Sequence, residues 1–222
     1  DCGLGKTIQQ LEWAYQVSKH SNKPVLILCP LAVSGQTIKE GKKFGYKVTK
    51  ILQDTKIEYG LYITNYEQLE NIDCSVFAGV VLDESSILKN FKGKLKDLIT
   101  RTFKDTQYKL CCTATPSPND PMEIGTHSEF LNIMKRNEML AKYFINDMEH
   151  TSKWRLKKHS EKLFWEWVSE WAVMISKPSD VGFEDKGYIL PQLNLIERKI
   201  ETPKKDNGKL FNDVTVDAIN FN

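Results

Sequence analysis

GVVLDESSILKN, residues 79–90, opens with a short apolar run and ends it in two adjacent carboxylates, Asp83 and Glu84. Such a run predicts a strand buried on both faces of a parallel sheet, with the acids at its C-terminal end. Comparable runs stand on either side: VLILC at 25–29, closed by Pro30, and YKLCCT at 108–113. Between them the spacing predicts helices over 8–20, where Leu11, Ala14, Tyr15 and Val17 are the apolar positions, and over 34–44 and 91–103. Further strands are expected around 48–52 and 61–64, with a short helix near Tyr66. Strands alternating with helices of this length are βαβ units, so the expected fold is α/β with a doubly wound parallel sheet.

Composition sets the outer limits. With 222 residues, 41% of them hydrophobic, and 31 Lys+Arg against 29 Asp+Glu, the chain has the make-up of a globular domain able to bury a core. A net charge of +2 does not by itself imply nucleic-acid binding, although 87–109 carries seven basic residues against two acidic ones. There is no run of about 18 apolar residues and no signal-peptide pattern, so no membrane association is expected and the cytoplasm is the expected compartment. Five cysteines form an odd count without C-x-x-C, which reads as reduced core residues. The chain opens on Asp1, two residues before a glycine-rich turn, and so reads as part of a longer protein.

Past Pro121 helical periodicity runs over 122–148. In the tryptophan-rich stretch that follows, Phe164, Trp167, Val168, Trp171, Met174 and Ile175 recur at helical spacing. An extended segment over 188–200, around Leu190 and Pro191, leads into a linker-like stretch at 202–208. The expected organisation is an α/β lobe over 1–142, a Trp-rich helical extension over 143–187, and an extended segment and linker over 188–222.

Two constellations carry chemistry. Gly3-Leu4-Gly5-Lys6-Thr7 has the spacing of a phosphate-binding loop: backbone N–H groups at a helix start cradle a polyphosphate, Lys6 reaches its terminal phosphates, and the Thr7 hydroxyl ligates Mg²⁺. Asp83, at the end of a buried strand, is placed to hold the same metal, and Glu84 to orient and deprotonate the attacking water. Lys6, Asp83 and Glu84 are thus the candidate catalytic residues of an NTPase with Mg as cofactor; the nucleotide, ATP, comes from the resemblance that follows.

DESSILKN at 83–90 resembles motif II of superfamily 2 helicases in the form used by the Swi/Snf-like branch, with Lys89 and Asn90 matching. PLAVSGQTIKEGKKF at 30–44 is similar to that branch's motif Ia region, ITNYEQL at 63–69 to motif Ib, and TATPSPND at 113–120 to motif III. Together with GTHSEFLN at 125–132, the text looks closest to the compact helicases of phage and prophage genomes, which would act in a host cytoplasm. The resemblance implies a RecA-like P-loop NTPase lobe with a C-terminal helical extension, working as the ATP-binding motor of a nucleic-acid-dependent ATPase on double-stranded DNA. It also implies a second RecA-like lobe elsewhere in the polypeptide, bringing an arginine finger. Carried over by position, Pro30, Ser34, Thr64, Asn65 and Lys89 become nucleic-acid contacts, and Ser86 with Thr113 and Thr115 the coupling between ATP site and motif III. Two positions depart: Ser85-Ser86 stand where the branch often has Ala-His, and Thr37 where an aromatic is usual.

Other residues admit two readings. Lys89, Lys92, Lys94, Lys96, Arg101 and Lys104 fit either phosphate contacts or, better, the solvated face of a helix. Trp154, Trp165, Trp167 and Trp171 could stack on bases, but helical spacing favours core packing for Trp167 and Trp171. His127, His150 and His159 lack a second ligand at metal spacing and receive no site. Two further function classes stay open: a P-loop NTPase of another kind, such as a small-molecule kinase, and a non-catalytic nucleic-acid-binding module.

Overall fold

The computed structural model describes residues 3–89, 93–117, 120–146, 154–189 and 193–196. Five parallel strands form the central sheet: β1 (Val25–Cys29), β2 (Val48–Lys50), β3 (Leu61–Asn65), β4 (Gly79–Asp83) and β5 (Tyr108–Cys112), in the order β2-β3-β1-β4-β5. Each strand connects to the next parallel one by a crossover, as expected from sequence, and most of the helices are where periodicity puts them: α1 (Lys6–Ser21), α2 (Ser34–Lys43) and α3 (Lys94–Thr102). The segment after β3 is a 3₁₀ helix, Tyr66–Asn71.

Strand alternation divides the core between two layers. Val25, Ile27 and Cys29 of β1 join Val81, Ile63 and the α1 residues Leu11, Ala14 and Val17 on one face. Leu26 and Leu28 join Val80, Leu82, Ile99, Phe103 and Phe130 on the other. Both faces of β1 and β4 are therefore covered, which is why these strands read as unbroken apolar runs. β5 is half-exposed along its length and forms one edge of the sheet.

Downstream of Pro121 the structure departs from the expected continuous helix over 122–148. A 3₁₀ turn, Pro121–Glu123, leads into α4 (Ile124–Phe130), which ends where Asn132 takes a left-handed φ of 60°. Asparagine tolerates that conformation, and its side-chain amide donates to the Lys104 carbonyl at 3.0 Å. A second helix, α5 (Arg136–Tyr143), then runs into β6 (Phe144–Asn146), paired antiparallel with β7 (Trp154–Leu156). The Trp-rich helix is α6 (Glu161–Ser169) and is shorter than its apolar spacing suggests. At its end the Ser169 hydroxyl donates to the Glu166 carbonyl at 2.7 Å, a local bond that competes with helix continuation, and Pro178 disfavours helix shortly beyond. Met174, expected on the apolar face, is 81% exposed.

Ile124, Met139, Leu140, Tyr143, Phe144, Phe164 and Trp167 form a third core. It straddles the 142/143 position expected as a boundary. Trp167 stacks on Tyr143 at 5.5 Å and is a core residue, and Trp171 packs edge-on against it at 5.4 Å, whereas Trp165 is exposed. Of the expected extended segment and linker, 190–192 and 197–222 lie outside the described residues. Among the described residues no helix is long and apolar enough to cross a membrane.

Candidate nucleotide site

Parallel pairing aligns the C-terminal strand ends on one edge of the sheet. Cys29 is level with Asn65, Leu28 with Leu82, and Asp83 with Cys112, so the loops beginning at Pro30, Asn65, Glu84 and Thr113 all leave from that edge. Ligands of open α/β sheets bind there. α1 crosses the sheet with Val17 against Gly79, at the start of β4, where an added Cβ would stand 3.0 Å from the valine. Its first residue, Lys6, is thereby carried to the same edge as Asp83.

The turn before α1 requires its glycines for conformation rather than space. Gly3 and Gly5 have φ of +77° and +73°, and an added Cβ would meet nothing within 4 Å at Gly3 and only Ile8 at 3.4 Å at Gly5. Gly5 caps α1 without a side-chain bond, and the first turn holds no acid. The helix start thus offers unmasked N–H groups and positive dipole to an anion. Leu4 lends its carbonyl to the Gln9 amide at 3.0 Å, which braces the turn, and Thr7 is half-buried in the first turn of α1.

Asp83 is 7% exposed. Burial pushes its carboxyl above the usual range and the neighbouring Glu84 charge adds to this, while the Gln10 amide and the Lys6 ammonium oppose it. Cys112, pushed up to about 12 chiefly by burial, feels Asp83, Lys6 and Glu84 as well, so these four groups share one corner. Gln10 is fully buried in α1 and lies beside the Asp83 carboxylate. Glu84 is half-buried and takes a left-handed φ of 56°.

A buried carboxylate at the strand end, on the same edge as the phosphate-binding turn, suits a cation. Among the described residues no three His, Cys, Asp or Glu side chains form a metal cluster. Mg²⁺ asks for no such cage, since it keeps several waters and takes one or two protein ligands plus substrate phosphates. Thr7 and Asp83 fit that demand.

The other sequence candidates separate into exposed and buried. Ser34 and Thr64 are buried, at 4% and 3% exposure, and the Ser34 hydroxyl donates to the Leu31 carbonyl at 3.2 Å. Ser34 opens α2 and Thr64 lies within β3, and neither exposes its side chain. Pro30, Asn65 and Lys89 are half-buried at the loop edge, and Asn65 has a buried Oδ1 without a partner. Lys96 is held by Glu129 at 3.1 Å, while Lys94, Arg101 and Lys104 are exposed, as a solvated helix face requires. Thr113 Oγ1 accepts from the Thr115 N–H at 3.0 Å. Ser86 is half-buried in the turn after β4. Its neighbour Ser85 is instead fully buried and bonded to His127, a residue to which sequence assigned no site. The two are 42 positions apart, and nothing in their local sequence pairs them.

Comparison with known proteins agrees with the fold. The chain is 25% identical over 145 residues to a Caenorhabditis elegans protein described as a homolog of SWI/SNF-related matrix-associated actin-dependent regulator of chromatin subfamily A-like protein 1; the match covers 60% of this chain and 21% of that protein. The solved SWI2/SNF2 ATPase core of Sulfolobus solfataricus, in complex with dsDNA, superposes with a TM-score of 0.56 and 26% identity over 64% of this chain and 33% of that one. This chain therefore spans 21% of the curated relative and 33% of the solved core. A family model, SNF2-related domain, matches residues 1–169, more than half the chain and every strand of the central sheet, and the chain accordingly belongs to that family.

Proposed function

We propose that this chain is the ATP-binding RecA-like motor lobe of a DNA-dependent ATPase, a translocase or helicase-type enzyme that hydrolyses ATP with Mg. The observation that carries the reading is the convergence of Lys6, at the start of α1 behind two left-handed glycines, on Asp83 and Glu84 at the end of β4. In it, the Gly3–Thr7 turn binds the phosphates, Lys6 neutralises the terminal ones, and Glu84 orients the attacking water and accepts its proton. Mg²⁺, held by Thr7 and Asp83, supplies charge neutralisation at the phosphates when bound. Thr113 and Thr115 begin the loop after β5 on the same edge, and with Ser86 they form the coupling segment toward the DNA side. Pro30, Asn65 and Lys89 contact the backbone of double-stranded DNA, the ligand of the solved SWI2/SNF2 core. A second RecA-like lobe of the same polypeptide closes the cleft.

The test uses the full-length protein. Lys6→Ala is expected to abolish nucleotide binding, whereas Glu84→Gln should bind ATP with near-normal affinity and fail in single turnover. An active Glu84→Gln enzyme would sink the assignment of the base. Duplex DNA should stimulate wild-type hydrolysis; indifference to DNA would sink the motor reading.

A further inference from the structure

His127 carries none of the roles assigned above, yet it is 5% exposed and its Nε2 shares a 3.1 Å hydrogen bond with the Ser85 hydroxyl. Ser85 is fully buried and directly follows Glu84. Its hydroxyl thus ties the turn after β4 to helix α4.

Glu84 stands next to this contact. A φ of 56° in a residue with a Cβ is strained, and such strain persists only where the surroundings over-determine it. On the upstream side, the Tyr66 hydroxyl donates to the Asp83 carbonyl at 2.6 Å. On the downstream side, the Ser85–His127 bond fixes the next residue, and the Ile87 N–H donates to the Glu84 carbonyl at 3.2 Å. The helix that carries His127 is itself clamped. At Gly125 an added Cβ would lie 2.8 Å from Met139 Cε, and the Ser128 hydroxyl donates to the Met134 carbonyl at 2.9 Å.

We propose that His127 is a positioning residue for ATP hydrolysis, holding Glu84 through Ser85 in the left-handed conformation that presents its carboxylate to the attacking water. This rests on the reading of Glu84 as the water-orienting group. The link to the turn comes from α4, 42 positions along the chain from Ser85.

Three variants of the full-length protein decide it: His127→Leu, which keeps the bulk and loses the nitrogen; His127→Gln, whose amide can still bond Ser85; and Ser85→Ala. ATP affinity, single-turnover rate and amide exchange over 83–89 are measured for each. Misplacing a catalytic group by about 1 Å can cost on the order of 100-fold, so His127→Leu and Ser85→Ala should each slow turnover by roughly 10- to 100-fold, with affinity within about twofold. His127→Gln should recover most of the rate, and the double variant Ser85→Ala/His127→Leu should be no slower than the worse single one. Exchange over 83–89 should quicken in His127→Leu and not in His127→Gln. Unchanged turnover in both His127→Leu and Ser85→Ala, or losses that multiply in the double variant, would overturn the proposal. If His127→Leu does not fold, Ser85→Ala decides alone, because it removes one oxygen and leaves the backbone intact. If the wild-type protein turns over no ATP, the reading of Glu84 fails and this role for His127 falls with it, while quickened exchange over 83–89 would then report a structural link only.

Discussion

Asp83 is where the fold and its chemistry oppose each other. An aspartate whose folded pKa lies above its unfolded value binds protons more readily when folded, so it favours folding at low pH and opposes it as pH rises past the unfolded value. At neutral pH the ionised side chain therefore weakens the nucleotide-free protein, and a bound cation relieves this. Asp83→Asn is expected to raise the nucleotide-free melting temperature by about 2–4 °C, the shift that about 1 kcal/mol gives in a chain of this size, and to remove the further stabilisation by Mg·ATP. Thermal melts at pH 7.5 with and without Mg·ATP measure both; a nucleotide-free Asp83→Asn protein less stable than wild type would contradict the expectation. Gly3→Ala tests the turn in the opposite sense: with φ at +77° and open space around it, the methyl group strains the backbone without a clash. About 1–2 kcal/mol of turn stability should be lost, seen as weaker ATP binding with little change in the single-turnover rate at saturation.

The contact between α4 and α5 shows what an element-level test can read. Gly125 leaves no room for a larger side chain against Met139 and Arg136, so Gly125→Val should cost about 1–3 kcal/mol by overpacking. Phe164→Ala, which empties the centre of the third core, should cost about 3–5 kcal/mol. Denaturant titration gives both values, and a neutral Phe164→Ala would mean that this core does not support the fold. The same elements mark how far the sequence could be read. β1 and β4 were legible because both of their faces are covered, which leaves an unbroken apolar run between turn residues. The break at Asn132 was not, since apolar spacing continues across it and only backbone geometry ends the helix. β6 and β7 are three residues each and carry no period to detect. At the site, Lys6, Asp83 and Glu84 were legible because each is fixed by its place in a local motif. Gln10 and the Ser85–His127 pair were not, because their environment is made by chain segments distant in sequence.

At the scale of the molecule, the aligned strand ends put phosphate chemistry and the proposed DNA contacts on a single edge of the sheet. The DNA contacts then act through the phosphate backbone, and each neutralised phosphate releases counterions. DNA stimulation of ATPase activity is expected to fall steeply between about 50 and 200 mM salt while basal activity changes little. Steady-state hydrolysis across that range checks it, and a stimulation insensitive to salt would point to contacts with bases instead. The opposite margin of the sheet has a different consequence. Among the described residues nothing pairs with the outer side of β5, and Tyr108 N–H already serves the Ala78 carbonyl, so in a parallel ladder the outward amides are those of Lys109 and Cys111. Lysines on edge strands commonly deter a stray strand. Lys109 does not serve that way, because its ammonium is occupied by the Lys104 and Phe130 carbonyls at 3.3 and 2.9 Å. Among the described residues, then, the outer side of β5 is an undefended seam, and self-association through it is the expected first fault of a concentrated solution of this chain.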